Sequence, residues 1–185
     1  MNKKFIAGGC SFTLGNELSD DVDGITPSKQ SWAYQLMRNS AKFMHDDYIC
    51  TAKGGAGNSG IARRVFNAVA NTKDISCVVV MWSFLSRYDW AMPRHSSLEH
   101  TRWATISPWD TKMASEERHT ALAGSEAQQE QWKQRDDLLI NTGVKPFADT
   151  IYKHAANEYH ETYLSWKSII WLQNILEKKK IPYMF

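Results

Sequence analysis

Cysteine is scarce and unpaired in this chain: Cys10, Cys50 and Cys77 are the whole supply among 185 residues. No short Cys-x-x-Cys spacing occurs, which excludes a cysteine zinc site and a disulfide framework and leaves free thiols in a reducing compartment as the expectation. Charge of one sign is lacking too. Lysine plus arginine number 22 against 20 acidic residues, a net charge of +2, and the basic residues are dispersed, so no nucleic-acid partner is expected. The one basic run, Lys178-Lys179-Lys180, falls where a helix should end and reads as its solvated terminus. No apolar stretch approaches the roughly 20 residues of a membrane span, and the N-terminal lysines are not followed by a long apolar segment. The reading is therefore no membrane, no leader and a cytoplasmic protein. Repeats and low-complexity tracts are missing as well.

What is present suits a single globular domain over 1–185, with 43% hydrophobic and 23% charged residues. Tryptophan is frequent, with eight in the chain, and large rings are first of all core material. Lys3 to Gly9 reads as a first strand. A polar loop follows over 16–30, and then a helix from about Ser28 or Ser31, since Trp32, Leu36, Met37 and Met44 recur at helical spacing. Tyr48 to Ala52 is a second strand. Ile61, Val65, Ala68 and Val69 make the stripe of a second helix, capped by Asn58 or Ser59. The β-branched run Ile75 to Trp82 is a strand buried on both faces.

Strands alternating with helices imply a parallel, three-layer α/β/α fold with a flavodoxin-like sheet. Periodicity dissolves into a polar, tryptophan-rich insertion or cap at about 86–146. It returns in a helical region over 147–180 in which Trp166, Ile169, Ile170, Gln173 and Leu176 recur, and a last strand at 181–185 follows. A sheet closing on that strand, with no helix after it, is expected to be C-terminally incomplete.

Ligands of open α/β sheets bind at the carboxyl ends of strands, which draws attention to two turns. The first strand runs through Gly8-Gly9 into Cys10-Ser11-Phe12-Thr13, so Ser11 would face that edge. The second strand runs into Gly54-Gly55-Ala56-Gly57-Asn58-Ser59-Gly60, where backbone amides opening a helix are aimed outward and suit an oxyanion or a phosphate. Cys10 adjoins Ser11 but points another way, and packing beneath the turn is its expected role.

These residues resemble the SGNH or GDSL hydrolase family, and more closely a divergent branch, often encoded by tailed phages, that carries Gly-Cys-Ser-Phe-Thr where other members have Gly-Asp-Ser. The likeness spans about the first ninety residues and the last helix and strand. It implies Ser11 as nucleophile, with its own amide and that of Gly57 as oxyanion donors, and no cofactor or metal. The family's third motif supplies an asparagine after the third strand. Here the segment is Trp82-Ser83-Phe84-Leu85-Ser86-Arg87, which leaves Ser83 as a substitute donor and Arg87 to stabilise negative charge. Asn58, Trp82 and Arg87 are the substrate-binding candidates.

The family's fourth motif, Asp-x-x-His, has no counterpart in the chain, and a serine hydroxyl without an adjacent base is a poor nucleophile. His45, His95, His100, His119, His154 and His160 all lie outside the family pattern; His95 and His100 are the nearest substitutes. The resemblance thus implies an ester hydrolase acting on an acyl or acetyl ester of a carbohydrate or lipid, weak or inactive without a base. The alternative is a non-catalytic virion component or carbohydrate-binding protein on the same scaffold. A small phosphate- or nucleotide-binding domain is a third class, lacking an acidic ribose partner. The apolar content is compatible with a homo-oligomer.

Overall fold

The computed structural model describes residues 2–21, 23–91, 103–111, 137, 140–141 and 143–185. In chain order the elements are β1 (Lys4–Gly8), α1 (Ser11–Leu14), α2 (Trp32–Asn39), β2 (Asp47–Cys50), α3 (Asn58–Asn71), β3 (Ile75–Val80), β4 (Tyr88–Ala91), β5 (Trp103–Ile106), α4 (Val144–His154), α5 (Glu158–Lys178) and β6 (Tyr183–Met184). Four strands form one parallel sheet in the order β2-β1-β3-β6. That is the flavodoxin-like order of a doubly wound sheet, with helices on both faces. The three-layer α/β/α architecture expected from the alternation of strands and helices is the one observed.

The period-2 alternation of β1 and β3 sorts the core into two halves. Phe5, Ala7, Cys77 and Val79 point to one face, where Ala33 and Met37 of α2 cover them. Ile6, Val78 and Val80 point to the other, under Ile61, Val65 and Val69 of α3 and Leu172 and Leu176 of α5. Each of the valine, leucine, isoleucine, phenylalanine and methionine side chains among them contributes about 1.5–3 kcal/mol on burial, in keeping with the place of these two strands in the middle of the sheet.

Several expected boundaries move. The helix expected to reach Met44 stops at Asn39, and Ser40 onward forms turns that leave Met44 exposed. Ala33 and Met37, rather than Leu36, face the core. The helical region of 147–180 is two helices broken at 155–157. Asn157 accepts from the backbone N–H of His160 at 2.9 Å and restarts the second. On α5 the buried positions are Ser165, Leu172 and Leu176, while Trp166 and Ile170 are exposed. The basic run does lie at the C-terminal end of that helix, solvent-exposed.

The described part of the tryptophan-rich stretch contains an antiparallel pair, β4 with β5, and a 3-10 turn over Pro108–Asp110. Tyr88 and Ile106 of this pair form a small third cluster with Val144 and Ala148 of α4. Tyr152 ties the cluster together, its hydroxyl donating to the carbonyls of Ser86 and Ile106. Core packing proves the wrong expectation for most tryptophans: Trp90, Trp103, Trp109, Trp166 and Trp171 are all exposed by 40% or more. Cys10 and Cys77 are buried free thiols and Cys50 is half-buried. No helix among the described residues is long and apolar enough to cross a membrane.

Candidate active site

Three loops meet at the carboxyl edge of the sheet, and backbone hydrogen bonds fix their spacing. The N–H of Met81, after β3, donates to the carbonyl of Gly8 at 3.0 Å; that of Lys53, after β2, donates to Gly9 at 3.2 Å. The chain emerging from β1 is therefore gripped on both sides before it turns. Gly9 is required by close approach, since a Cβ there would stand 2.0 Å from Thr13 Oγ1. Thr13 is buried and accepts from Trp32 Nε1 at 3.2 Å, so it cannot move aside freely.

The turn then enters α1, whose first residue is Ser11, half-buried at the edge. The Ser11 carbonyl accepts from Gly15 and Asn16 at 2.8 and 3.1 Å, while its N–H and its hydroxyl make no hydrogen bond among the described residues. An unclaimed backbone donor beside an unclaimed hydroxyl is what an oxyanion site and a nucleophile need at minimum.

The second glycine turn differs. Gly57 caps α3, and its own N–H is likewise without a partner among the described residues. Asn58 and Ser59, expected as caps, do not serve as such. The carboxylate of Asp89, from β4, takes that role: it accepts from the N–H of Gly60 at 2.8 Å, from Ser59 Oγ at 3.3 Å and from Thr105 Oγ1 at 2.7 Å. A negative charge is thereby held against the positive end of the α3 dipole. Gly60 makes room for it, because a Cβ there would lie 2.3 Å from Asp89 Oδ1.

Asn58 is buried and cross-braces three elements. Its amide donates to the Ser83 carbonyl at 3.1 Å and to Ser165 Oγ of α5 at 3.0 Å, and its carbonyl oxygen accepts from the Ser83 N–H at 2.7 Å. Both amide protons are thus engaged internally. Ser83 Oγ accepts from Arg87 Nη1 at 2.8 Å and keeps its own proton. Arg87 also lies over the Phe84 ring, 5.1 Å from its centroid. Trp82 is half-buried with its ring edge-on to Phe185, centroids 5.2 Å apart, and its Nε1 is buried without a partner. The structure therefore brings Asn58, Ser83 and Arg87 into one contiguous network beside Gly57, whereas Trp82 serves packing.

No imidazole among the described residues approaches Ser11. His45 is exposed in the turn that precedes β2, at the opposite end of the sheet. His154 ends α4, and His160 lies alongside Tyr88, ring centroids 6.5 Å apart. His95, His100 and His119 lie outside the described residues. Among the described residues no group of three or more His, Cys, Asp or Glu is arranged to hold a metal ion.

Beyond Asn58 and Arg87 a cavity of about 480 Å³ opens between α3, α5 and the β4–β5 pair, walled by Leu85, Trp90, Trp103, Leu164 and Trp171. Tyr88 lines it as well; burial, reinforced by the carboxylate of Glu161 that accepts its hydroxyl at 3.1 Å, pushes its pKa up to about 12. Sequence reading missed Asp89, Ser165 and this cavity. The one local signal was Gly60, a glycine inside the first turn of a helix, where only a close approach explains the residue.

Compared with known proteins, the chain matches no family model and no curated protein.

Proposed function

We propose that this chain is built as a serine ester hydrolase of the SGNH type, with Ser11 as nucleophile and the backbone amides of Ser11 and Gly57 as oxyanion donors. The observation that carries the reading is the state of the first turn: a half-buried serine at a gripped sheet edge, its hydroxyl and amide both unclaimed. In the reaction, Ser11 Oγ adds to the acyl carbon and the carbonyl oxygen takes negative charge between the two amides. The C–O bond to the alcohol then breaks, and the alcohol leaves with the proton taken from Ser11. Water releases the acyl group. The Ser83 hydroxyl, still holding its proton, is the third candidate donor. A donor of this kind is worth about a hundred- to a thousand-fold in rate.

The base lies outside the described residues in this reading, and activity of the isolated chain is expected to be low. Hydrolysis of 4-nitrophenyl acetate by the chain and by Ser11→Ala is the test. A rate that falls to background in the variant supports the assignment, and equal rates remove Ser11 from it.

The second reading is a non-catalytic carbohydrate-binding protein, favoured by the exposed rings of Trp90, Trp103 and Trp171 around one cavity. Glycan binding that survives Ser11→Ala and is lost in Trp103→Ala would select it.

A further inference from the structure

Three cations gather on the side of this edge that the reaction scheme leaves unused. Arg64, on the second turn of α3, is anchored by its Nε, which donates to the Thr51 carbonyl at 2.9 Å, and Thr51 immediately follows β2. Arg63 is clamped differently, its guanidinium lying over the Trp103 ring of β5 at 4.2 Å from the centroid. Lys53 stands in the loop after β2, its backbone N–H on the carbonyl of Gly9, two residues before Ser11.

None of the three forms an ion pair within 4.0 Å with any described residue. Arg63 Nε and Arg64 Nη2 are buried and have no hydrogen-bond partner among the described residues. A buried donor left so is unfavourable by about 1–3 kcal/mol. Among the described residues Asp89 is the one acidic side chain whose charge reaches all three, and its carboxylate accepts from neutral donors. Three positive charges against one negative charge leave two unmatched among the described residues. The imbalance registers on Lys53: partial desolvation of its ammonium lowers its pKa, and the neighbouring charge of Arg64 lowers it further.

We propose that Lys53, Arg63 and Arg64 form an anion subsite that holds a dianionic phosphate group on the substrate, beside Ser11. Two guanidinium groups held in place by Thr51 and Trp103, with one ammonium beside them, match the double charge of a phosphate monoester better than the single charge of a carboxylate. As a statement about substrate class this rests on the ester-hydrolase reading, whereas the subsite itself does not require Ser11 to react.

The test is calorimetric titration of inorganic phosphate, with acetate in parallel, into the full chain carrying Ser11→Ala. Phosphate should bind, and about tenfold more weakly in Lys53→Gln and in Arg63→Gln, as expected for the loss of one charge-assisted partner. Lys179→Gln, at the far end of α5, should leave binding unchanged, and acetate should bind at least about tenfold more weakly than phosphate. Arg63→Lys separates charge from geometry, since it keeps the cation and loses the stacked fork. Lys53 sits in a surface loop with much of its side chain open to solvent, so its variant can be read even if an arginine variant unfolds. Absence of phosphate binding in a folded chain overturns the proposal, and so does binding that Lys53→Gln leaves unaltered. Because the titration uses Ser11→Ala, an inactive esterase with an intact phosphate site and an active esterase without one are separate outcomes.

Discussion

The turn after β1 leaves the amide and hydroxyl of Ser11 unclaimed among the described residues, whereas the turn after β2 gives the start of its helix to a carboxylate from β4. Both are glycine-rich, both follow a parallel strand, and both open a helix at the same sheet edge. Their difference lies in what a distant part of the chain delivers. Among the described residues no side chain reaches the Ser11 amide, but Asp89 reaches across to Gly60 and Ser59, and Asn58 turns inward to Ser83 and Ser165. The first turn is thus the open half of the edge. In the second, Asp89 takes the Gly60 amide, while the amides of Gly57, Asn58 and Ser59 have no partner among the described residues. A helix N-terminus is an anion site only when the protein has not already filled it.

The comparison can be broken most forcefully at Asn58. Asn58→Ala removes three hydrogen bonds and strands the buried Ser165 hydroxyl, and should destabilise the fold by about 3 kcal/mol. Chemical denaturation measures it, and a loss below about 1 kcal/mol would mean that the brace is dispensable. Asp89→Asn keeps the shape but removes the charge facing the α3 dipole, and should lose about 1–2 kcal/mol in the same experiment. Unchanged stability would show that the second turn is as open as the first.

Ser11→Ala probes the other side. With no hydrogen bond to lose, it should alter stability by less than about 0.5 kcal/mol while abolishing whatever ester turnover the chain has; a large loss of stability would assign the hydroxyl to the turn instead.

The smallest effect belongs to the loop beside the first turn. Hydrogen bonds hold three carboxyl pKa values there below their ordinary 3.8: Asp20 by Ser28 Oγ and the Lys29 N–H, Asp21 by the N–H groups of Glu17 and Gly24, Asp23 by those of Thr26 and Ile25. Lowered folded-state values mean that their stabilisation is present above the unfolded value and is lost as pH falls through the folded ones. Loop amide protection should therefore decline only below about pH 3.8. Protection that fades already near neutrality would contradict these bonds.

The strands of the sheet were legible because their information is local. The β-branched run of β3 and the alternating Phe5-Ile6-Ala7 of β1 announce burial without reference to anything else. The end of α2 was less legible. Met44 continues the helical spacing, yet Phe43 packs beside Phe5 at 5.2 Å between centroids, which the turns after Asn39 allow. The candidate site divides in the same way. Ser11 and Gly57 sit on turns whose glycines mark them, and Ser83 and Arg87 follow a strand end. Asp89 could not be found so: its partners are about 30 residues away at Ser59 and Gly60, and β4 lies in a polar stretch without readable periodicity. The tryptophans were misjudged for a related reason. Composition assigns a large ring to the core, and only the tertiary arrangement reveals that Trp90, Trp103 and Trp171 line a cavity instead.

The claim on which the account turns is that the first turn presents a reactive serine. Incubating the chain with a fluorophosphonate, with added imidazole standing in for the base, and mapping the modified peptide by mass spectrometry addresses it directly. The account predicts an adduct on Ser11 that is absent from Ser11→Ala; an unmodified Ser11 in the folded chain would contradict it.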